Sequence, residues 1–547
     1  ATVLCTDKTG TLTENRMIVV EGWLPDGGTM DLNADKEVPA AALSILEMAT
    51  LASATVPTDP MEIAIHAAGP GSRQERTLAH AFGIGPDLLA MSNIWTRPDD
   101  EKGYLIAAKG APEAIAELCH LGAEEAAALS QAVESMAARG IRVLGVASAQ
   151  TGSTQWAASQ ADYDYTLVGL LGLADPIRQS VPAAVAQCQS AGIKVVMITG
   201  DYAATARAIA RQAGIVDGNV LTGPELDLMD EATLSAQLPA ITVFARIMPE
   251  QKLRIVEAYK AAGEVVAMTG DGVNDAPSLK SAHIGIAMGK RGTDVAREAS
   301  AIVLLDDDFG SIVHAIRLGR RIYDNIRKAM AFIFAVHVPL AGFALLPLVL
   351  GLPVLFGPIH IAFIEMIIDP VCALVFEAEE AEDDIMEREP RPTAQPLFSV
   401  HMIAWSILQG GMAFAMLAAV FLTATWSGMP VPDIRELVFL SLVVAIVALI
   451  LANRSFDTSL RHAFTRKNVM LRYVLGVVSV VLLLTVLVPA FRSLLKFGTP
   501  DWMHVMVAIG MGAILLFLLE LVKPLANRKQ AARLSLQIPR RMPRADP

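Results

Sequence analysis

Residues 1–13 read ATVLCTDKTGTLT, and residues 264–277 read EVVAMTGDGVNDAP. Each opens on a short apolar run, TVLC or EVVAM, and stops at an acid and a glycine loop. That is how a buried strand meets a turn. KVVMITGD (194–201) and ITVFARIMPEQK (241–252) repeat the pattern. Helical stretches, SVPAAVAQCQSAG (180–192) and AATARAIARQAG (203–214), alternate with these runs. The alternation predicts an α/β fold with a doubly wound parallel sheet.

In such a sheet the functional side chains gather where strands end. Asp7 closes the first run and is placed to attack a phosphoryl group. That reaction needs a hydroxyl or amide for the phosphate, a cation for developing charge, and acids for Mg²⁺. Thr199, Gly200 and Asp201 sit in one later strand end, Lys252 follows another, and Asp271, Asn274 and Asp275 follow a third. Two carboxylates with phosphate oxygens suit Mg²⁺.

Residues 14–166 break the rhythm with turn signals, PDGG (25–28), GPGS (69–72) and RPDD (97–100), and an Ala-rich helical stretch around 123–138. They read as an insertion between the first and second strands. The expected layout is 1–13 and 167–328 for the α/β domain, with 14–166 inserted as an α+β domain. Residues 329–523 follow as membrane helices, and 524–547 form a basic cytoplasmic tail.

The membrane part rests on composition. Of 547 residues, 53% are hydrophobic, and mean hydropathy is +0.45. Six apolar stretches near 329–350, 355–376, 401–424, 435–452, 471–491 and 503–523 each approach the ~20 residues that cross a lipid bilayer. Arg454, Arg461, Arg466 and Lys467 and the basic tail place the 453–470 loop and the C-terminus in the cytoplasm. The acid-rich loop 377–400 falls inside by parity, and 425–434 and 492–502 fall outside. A net charge of −12 argues against nucleic acid as a partner. The four cysteines are scattered, with no CxxC pair, so a disulfide framework or cysteine metal site is not expected.

The order of motifs resembles the haloacid-dehalogenase superfamily, and DKTGTLT with TGDGVNDAP resembles P-type ATPases, cation pumps phosphorylated on aspartate. The resemblance makes Asp7 the phosphorylated residue. It implies that Asp7, the Thr9 carbonyl, Asp271 and Asp275 bind Mg²⁺, while Lys252 and Thr199 stabilise phosphate oxygens. Thr9 also stands where many soluble relatives carry a second, general acid/base Asp, so slow hydrolysis of the phosphoenzyme is implied. The insertion resembles the family's ATP-binding domain. KGAPE (Lys109, Gly110 to Glu113), Glu62 in DPMEIAI, Arg142 in RGIRVLG and Asp175 and Arg178 in DPIR match nucleotide-site motifs, and Arg246 in ARIMPEQK is taken with them. GIGPDLLAMS (83–92) departs from the calcium-pump pattern: Ile84 and Leu89 stand near the places of an aromatic and a lysine, with Phe82 as the aromatic that could substitute.

The second span, HIAFIEMIIDPVCALVF, carries Glu365 and Asp369 four residues apart, hence on one helical face. Pro370 loosens the backbone beside them. Both are candidate ligands for a transported cation, with a structural pairing of Glu365 to His337 or His360 as the plain alternative. The fourth span, ELVFLSLVVAIVALILANRS, has no acid in its interior. Six spans after the phosphorylation domain and FGSIVHAIRLGRRIYDNIRKA (309–329) resemble the calcium-pump branch, giving Ca²⁺ as the expected ion and H⁺, Mn²⁺ or Mg²⁺ as alternatives. The resemblance also implies an actuator domain and four helices ahead of DKTGTLT, and hence a chain that binds nucleotide but does not transport alone. A membrane-tethered phosphatase and an inactive pump remnant are the competing functions.

Overall fold

The computed structural model describes residues 1–26, 28–32, 39–69, 76–85, 88–97, 103–392, 396–454, 467–499 and 501–537. Most of the turn signals at 69–72 and 97–100, together with Arg461, Arg466 and residues 538–547, lie outside them. The chain divides into two units, Ala1–His314 with Met386–Pro390, and Ala315–Ile385 with Arg391–Pro547.

In chain order the strands of the first unit are β1 (Val3–Asp7), β2 (Ile18–Trp23), β3 (Thr29–Asp31), β4 (Leu78–Phe82), β5 (Ala90–Thr96), β6 (Tyr104–Gly110) and β7 (Arg142–Thr151). They continue with β8 (Thr166–Ala174), β9 (Lys194–Ile198), β10 (Asn219–Thr222), β11 (Ile241–Ala245), β12 (Val266–Gly270), β13 (Ile284–Met288) and β14 (Ile302–Leu304). They form two sheets. The first, in order β10-β11-β9-β1-β12-β13-β14, is parallel throughout. β1 lies at its centre, between β9 and β12, so their carboxyl ends converge. Val3, Cys5, Val196, Ile198, Phe244 and Met268 are buried together beneath this edge. Each fully buried aliphatic side chain of that size stabilises the fold by about 1.5–3 kcal/mol.

The second sheet, β3-β2-β8-β7-β6-β5-β4, is antiparallel and made wholly from the insertion. The Ala-rich stretch is the helix Ala123–Ala138. One expected edge shifts. β8 pairs with β2 and β7, so the inserted sheet runs to Ala174 and not to 166. The run TLVGLLGLA is apolar on both faces, as a strand of the parallel sheet would be, and its antiparallel pairing is set by distant partners.

In the second unit six helices are long and apolar enough to cross a membrane, among the described residues. The first begins at Phe309, twenty residues before the expected start, and runs unbroken to Leu350. The second, Pro358–Pro370, passes into a wide π turn at Val371–Val375. Val400–Trp426, Val431–Asn453, Val469–Leu487 and Trp502–Gln537 follow. The last continues helically through much of the expected tail. Val431–Asn453 is the centre of the bundle, with 83% of its apolar window buried against 28–35% for the others.

Arg454, counted by sequence among solvent-facing loop cations, is buried in an ion pair with Glu379 at 3.1 Å. Asn468 donates to the same carboxylate at 2.8 Å, and Lys328 pairs with Glu382 at 2.6 Å. Glu379 and Glu382 of the acid-rich 377–400 loop thus neutralise buried cations.

Candidate active site

β1 delivers Asp7 to the centre of the strand-end cluster. Its backbone N–H donates to the Thr269 hydroxyl of β12 at 3.2 Å, locking the two strand ends together. The turn after it, Lys8–Leu12, needs Gly10: φ is +73°, and a Cβ there would stand 2.5 Å from Asp271 Oδ2. The helix Pro249–Ala261 starts with a proline in its first turn and a capping contact, Met248 N–H to Gln251 Oε1 at 2.8 Å. Ile255, Val256 and Tyr259 dock it on the sheet and bring Lys252 over the strand ends.

The Lys252 ammonium bridges Asp7 Oδ2 at 2.8 Å and Asp275 Oδ1 at 2.7 Å. Asp275 Oδ2 accepts from the Gly272 and Asp271 N–H groups at 3.1 and 3.3 Å. Ligand oxygens of Asp7, Asp271 and Asp275 lie within 4.8 Å of one another. Three carboxylates around one ammonium leave an excess negative charge in a largely buried place. Burial raises the Asp7 carboxyl above its ordinary range; Lys252 opposes this and Asp275 adds to it. Asp271 is pushed up to about 6 by burial and by the charges of Asp7 and Asp275. Burial works against the Lys252 ammonium, but the two carboxylates outweigh it and hold it at about 12. A donor set of hard oxygens with surplus negative charge fits a divalent cation such as Mg²⁺. Asp275 has both oxygens engaged, so direct ligation falls first to Asp7 and Asp271.

Thr199 is buried, and its hydroxyl accepts from the Asp201 N–H at 3.1 Å. Asp201 pairs with Lys8 at 2.9 Å, a link across β1 and β9 that the sequence did not single out. Gly200 and Asn274 are exposed at the same edge. Arg246 is exposed with φ +55°, and its guanidinium lies over Tyr202, 5.1 Å from the ring centroid.

A cavity of about 470 Å³ opens beside this edge, lined among others by Lys8, Thr9, Arg142, Asp175, Asp201 and Tyr202. Asp175 and Arg178 are also braces. Asp175 accepts from the Thr13 hydroxyl at 2.6 Å and the Arg16 N–H at 3.1 Å, and Arg178 donates to the Thr13 and Gly10 carbonyls, each at 3.0 Å. Glu62 and Lys109 are not among the cavity's lining residues. They form a buried pair at 2.7 Å, with Lys109 also donating to Ser53. A Cβ on Gly110 would meet the Leu89 carbonyl at 2.4 Å, so this glycine serves close strand packing. Phe82 packs edge-on against His80 and Tyr163.

In the second unit, Glu365 is half-buried and Asp369 exposed, and neither has a hydrogen-bond partner among the described residues. The alternative pairing with histidine is not formed. His360 bonds the Gly357 N–H and the Leu495 carbonyl, and His337 bonds the Ile333 carbonyl. Glu436, at the edge of the fourth span, is a buried acid that hydropathy does not mark. It is fully buried, and both its carboxylate oxygens are without partners among the described residues.

Comparison with known proteins gives two family matches. A model described as haloacid dehalogenase-like hydrolase matches residues 1–283, and one described as cation transporting ATPase, C-terminus, matches 353–525. A calcium-transporting ATPase of Listeria monocytogenes is 33% identical over 96% of this chain and 62% of its own length. One from Bacillus subtilis is 33% identical over 95% and 63%. A probable cation-transporting ATPase F of Mycobacterium bovis is 37% identical over 74% and 50%. The chain thus spans less than two thirds of the length of these relatives.

Proposed function

Because this multi-pass membrane chain belongs to the haloacid dehalogenase-like hydrolases, within the cation-transporting ATPases, we propose that it is the catalytic and C-terminal membrane part of an ATP-driven cation pump phosphorylated on Asp7. The observation that carries the reading is the Lys252 ammonium bridging Asp7 and Asp275 beside Asp271.

ATP enters the cavity beside the strand ends, which is within the usual size range of ligand pockets. Lys8 and Arg142 are the cations in its lining that would meet the phosphates. A carboxylate oxygen of Asp7 attacks the γ-phosphorus in line; the new P–O bond forms as the bond to the bridging oxygen breaks, and ADP leaves. Lys252 and the Thr199 hydroxyl stabilise the equatorial oxygens. Asp7, Asp271 and the Thr9 carbonyl, with Asp275 behind them, would hold Mg²⁺, which supplies neutralisation of phosphate charge. Thr9 offers no general base to water, so the aspartyl phosphate persists long enough to be coupled to movement. The Glu62–Lys109 pair shapes the inserted sheet behind the nucleotide.

Glu365 and Asp369 are the proposed ligands of the transported cation. Both carboxylates share a helical face, lack hydrogen-bond partners among the described residues, and precede Pro370, which has no N–H to return to the carbonyl four residues back. The proposed ion is Ca²⁺, supported by the names of the Listeria and Bacillus relatives. The phosphorylating unit is proposed to face the cytoplasm.

The test uses sealed vesicles holding the full-length gene product. ATP-dependent uptake of Ca²⁺, abolished by Glu365→Gln with Asp369→Asn, is the expected result. Uptake of Mn²⁺ or H⁺ instead would replace the ion. Rapid turnover of p-nitrophenyl phosphate with no response to ATP would replace the pump by a phosphatase.

A further inference from the structure

Asp307 lies beyond the proposed motifs, yet it is 3% exposed and adopts φ +57°, a backbone conformation seldom used by residues other than glycine. Strained residues persist where their surroundings over-determine them. Here the surroundings are one loop. Asp307 Oδ1 accepts from the Gly289 N–H at 2.7 Å and the Lys290 N–H at 3.0 Å, and Oδ2 accepts from the Arg291 N–H at 3.1 Å. Three successive backbone donors on one carboxylate make a rigid cradle for the chain leaving β13.

That chain goes on to the proposed phosphorylation site from two sides. Thr293, two residues on, donates its N–H to the Asp271 carbonyl at 2.9 Å. The Arg291 guanidinium donates to the Glu14 carbonyl, next to the DKTGTLT segment. Arg297 closes the loop from within, donating to the Gly289 and Gly292 carbonyls at 2.8 and 2.7 Å. Gly289 admits no side chain, since its Cβ would meet the Leu304 carbonyl at 2.7 Å, so the loop cannot relax toward β14. Loss of the cradle would let residues 289–293 drift, and with them the backbone that carries Asp271.

We propose that Asp307 is a positioning residue: by holding the 289–293 loop it fixes the Asp271 carboxylate in the geometry that a divalent cation requires. The proposal rests on Asp271 being a Mg²⁺ ligand. Outer partners that orient ligating groups commonly alter metal affinity by about 10–100-fold. Asp307→Gly removes both acceptor oxygens, and with them all three hydrogen bonds, while tolerating the positive φ. Asp307→Asn keeps the backbone preference and one acceptor oxygen.

The experiment measures Mg²⁺ binding without catalysis, by the Mg²⁺ concentration dependence of thermal stability in the detergent-solubilised full-length protein. ADP binding without Mg²⁺ is followed in parallel. The expected result is a roughly tenfold or greater rise in apparent Kd for Mg²⁺ in Asp307→Gly and a smaller one in Asp307→Asn, with ADP binding unchanged. Asp306→Asn, which alters the adjacent exposed acid, should match the unsubstituted protein. Lower melting temperatures with an unchanged Mg²⁺ dependence would overturn the proposal and leave Asp307 a stabilising turn residue. No Mg²⁺ response in the unsubstituted protein would overturn the metal site itself, and this proposal with it.

Discussion

Gly10→Ala is the change whose consequences the geometry fixes most tightly. An alanine Cβ would sit 2.5 Å from Asp271 Oδ2, where ordinary contact starts at 3.4 Å. The carboxylate must therefore retreat by about 1 Å, a displacement that can cost ~100-fold in rate when it affects reacting groups. A left-handed backbone for a residue with a side chain costs a further ~1–2 kcal/mol of stability. Gly263→Ala separates the two effects, because Gly263 has φ +83° but no atom within 4 Å of its Cβ. Both variants should unfold at lower urea concentration by similar amounts. Only Gly10→Ala should slow phosphorylation, measured by rapid quench with labelled ATP, by about two orders of magnitude, equivalent to ~2.7 kcal/mol of activation free energy. Gly10→Ala phosphorylating within about threefold of the unsubstituted rate would refute the claim that Asp271 must stay where it is.

Lys109→Met leaves Glu62 buried without its cation and should destabilise the protein by ~3–5 kcal/mol in chemical denaturation; a loss below ~1 kcal/mol would show that the pair is dispensable. Asp271, raised from an ordinary 3.8 to about 6, favours the folded state most below pH 4, and that contribution fades as pH rises through 6 when Mg²⁺ is absent. Mg²⁺ competes with the proton, so apparent Mg²⁺ affinity should fall by up to ~10-fold per pH unit below 6, and titration calorimetry showing no such fall would contradict the shift. Glu436→Gln replaces a buried carboxyl whose oxygens have no hydrogen-bond partner among the described residues, so melting temperature should hold or rise; a clear drop would show that the acid stabilises the fold.

The convergence of Asp7, Thr199 and Asp271 on one sheet edge was legible because strand ends are local signals. An apolar run, an acid and a glycine mark where Asp7, Thr199 and Asp271 must lie, and a parallel sheet brings such ends together. Residues that act through distant pairing were not legible. Glu379 and Arg454 are 75 positions apart, and Glu62 and Lys109 are 47 apart; nothing in either segment names the other. β8 misled for a related reason, since a strand apolar on both faces does not say which sheet it joins. Glu436 was passed over because hydropathy treats the end of a span as loop, whereas burial depends on which helices surround it. The DPIR motif points Asp175 and Arg178 to the nucleotide site, and their bracing of the Gly10–Thr13 turn depends on a close approach that only the fold creates.

Asp7 is proposed to carry phosphate from ATP under control of a cation. The most direct test is acid-stable, hydroxylamine-sensitive label from [γ-³²P]ATP in membranes holding the full-length gene product, with and without Ca²⁺ and across a cation panel. The expected result is label that requires Ca²⁺ and disappears in Asp7→Asn. Label that persists in Asp7→Asn, or no label under any cation, would contradict it.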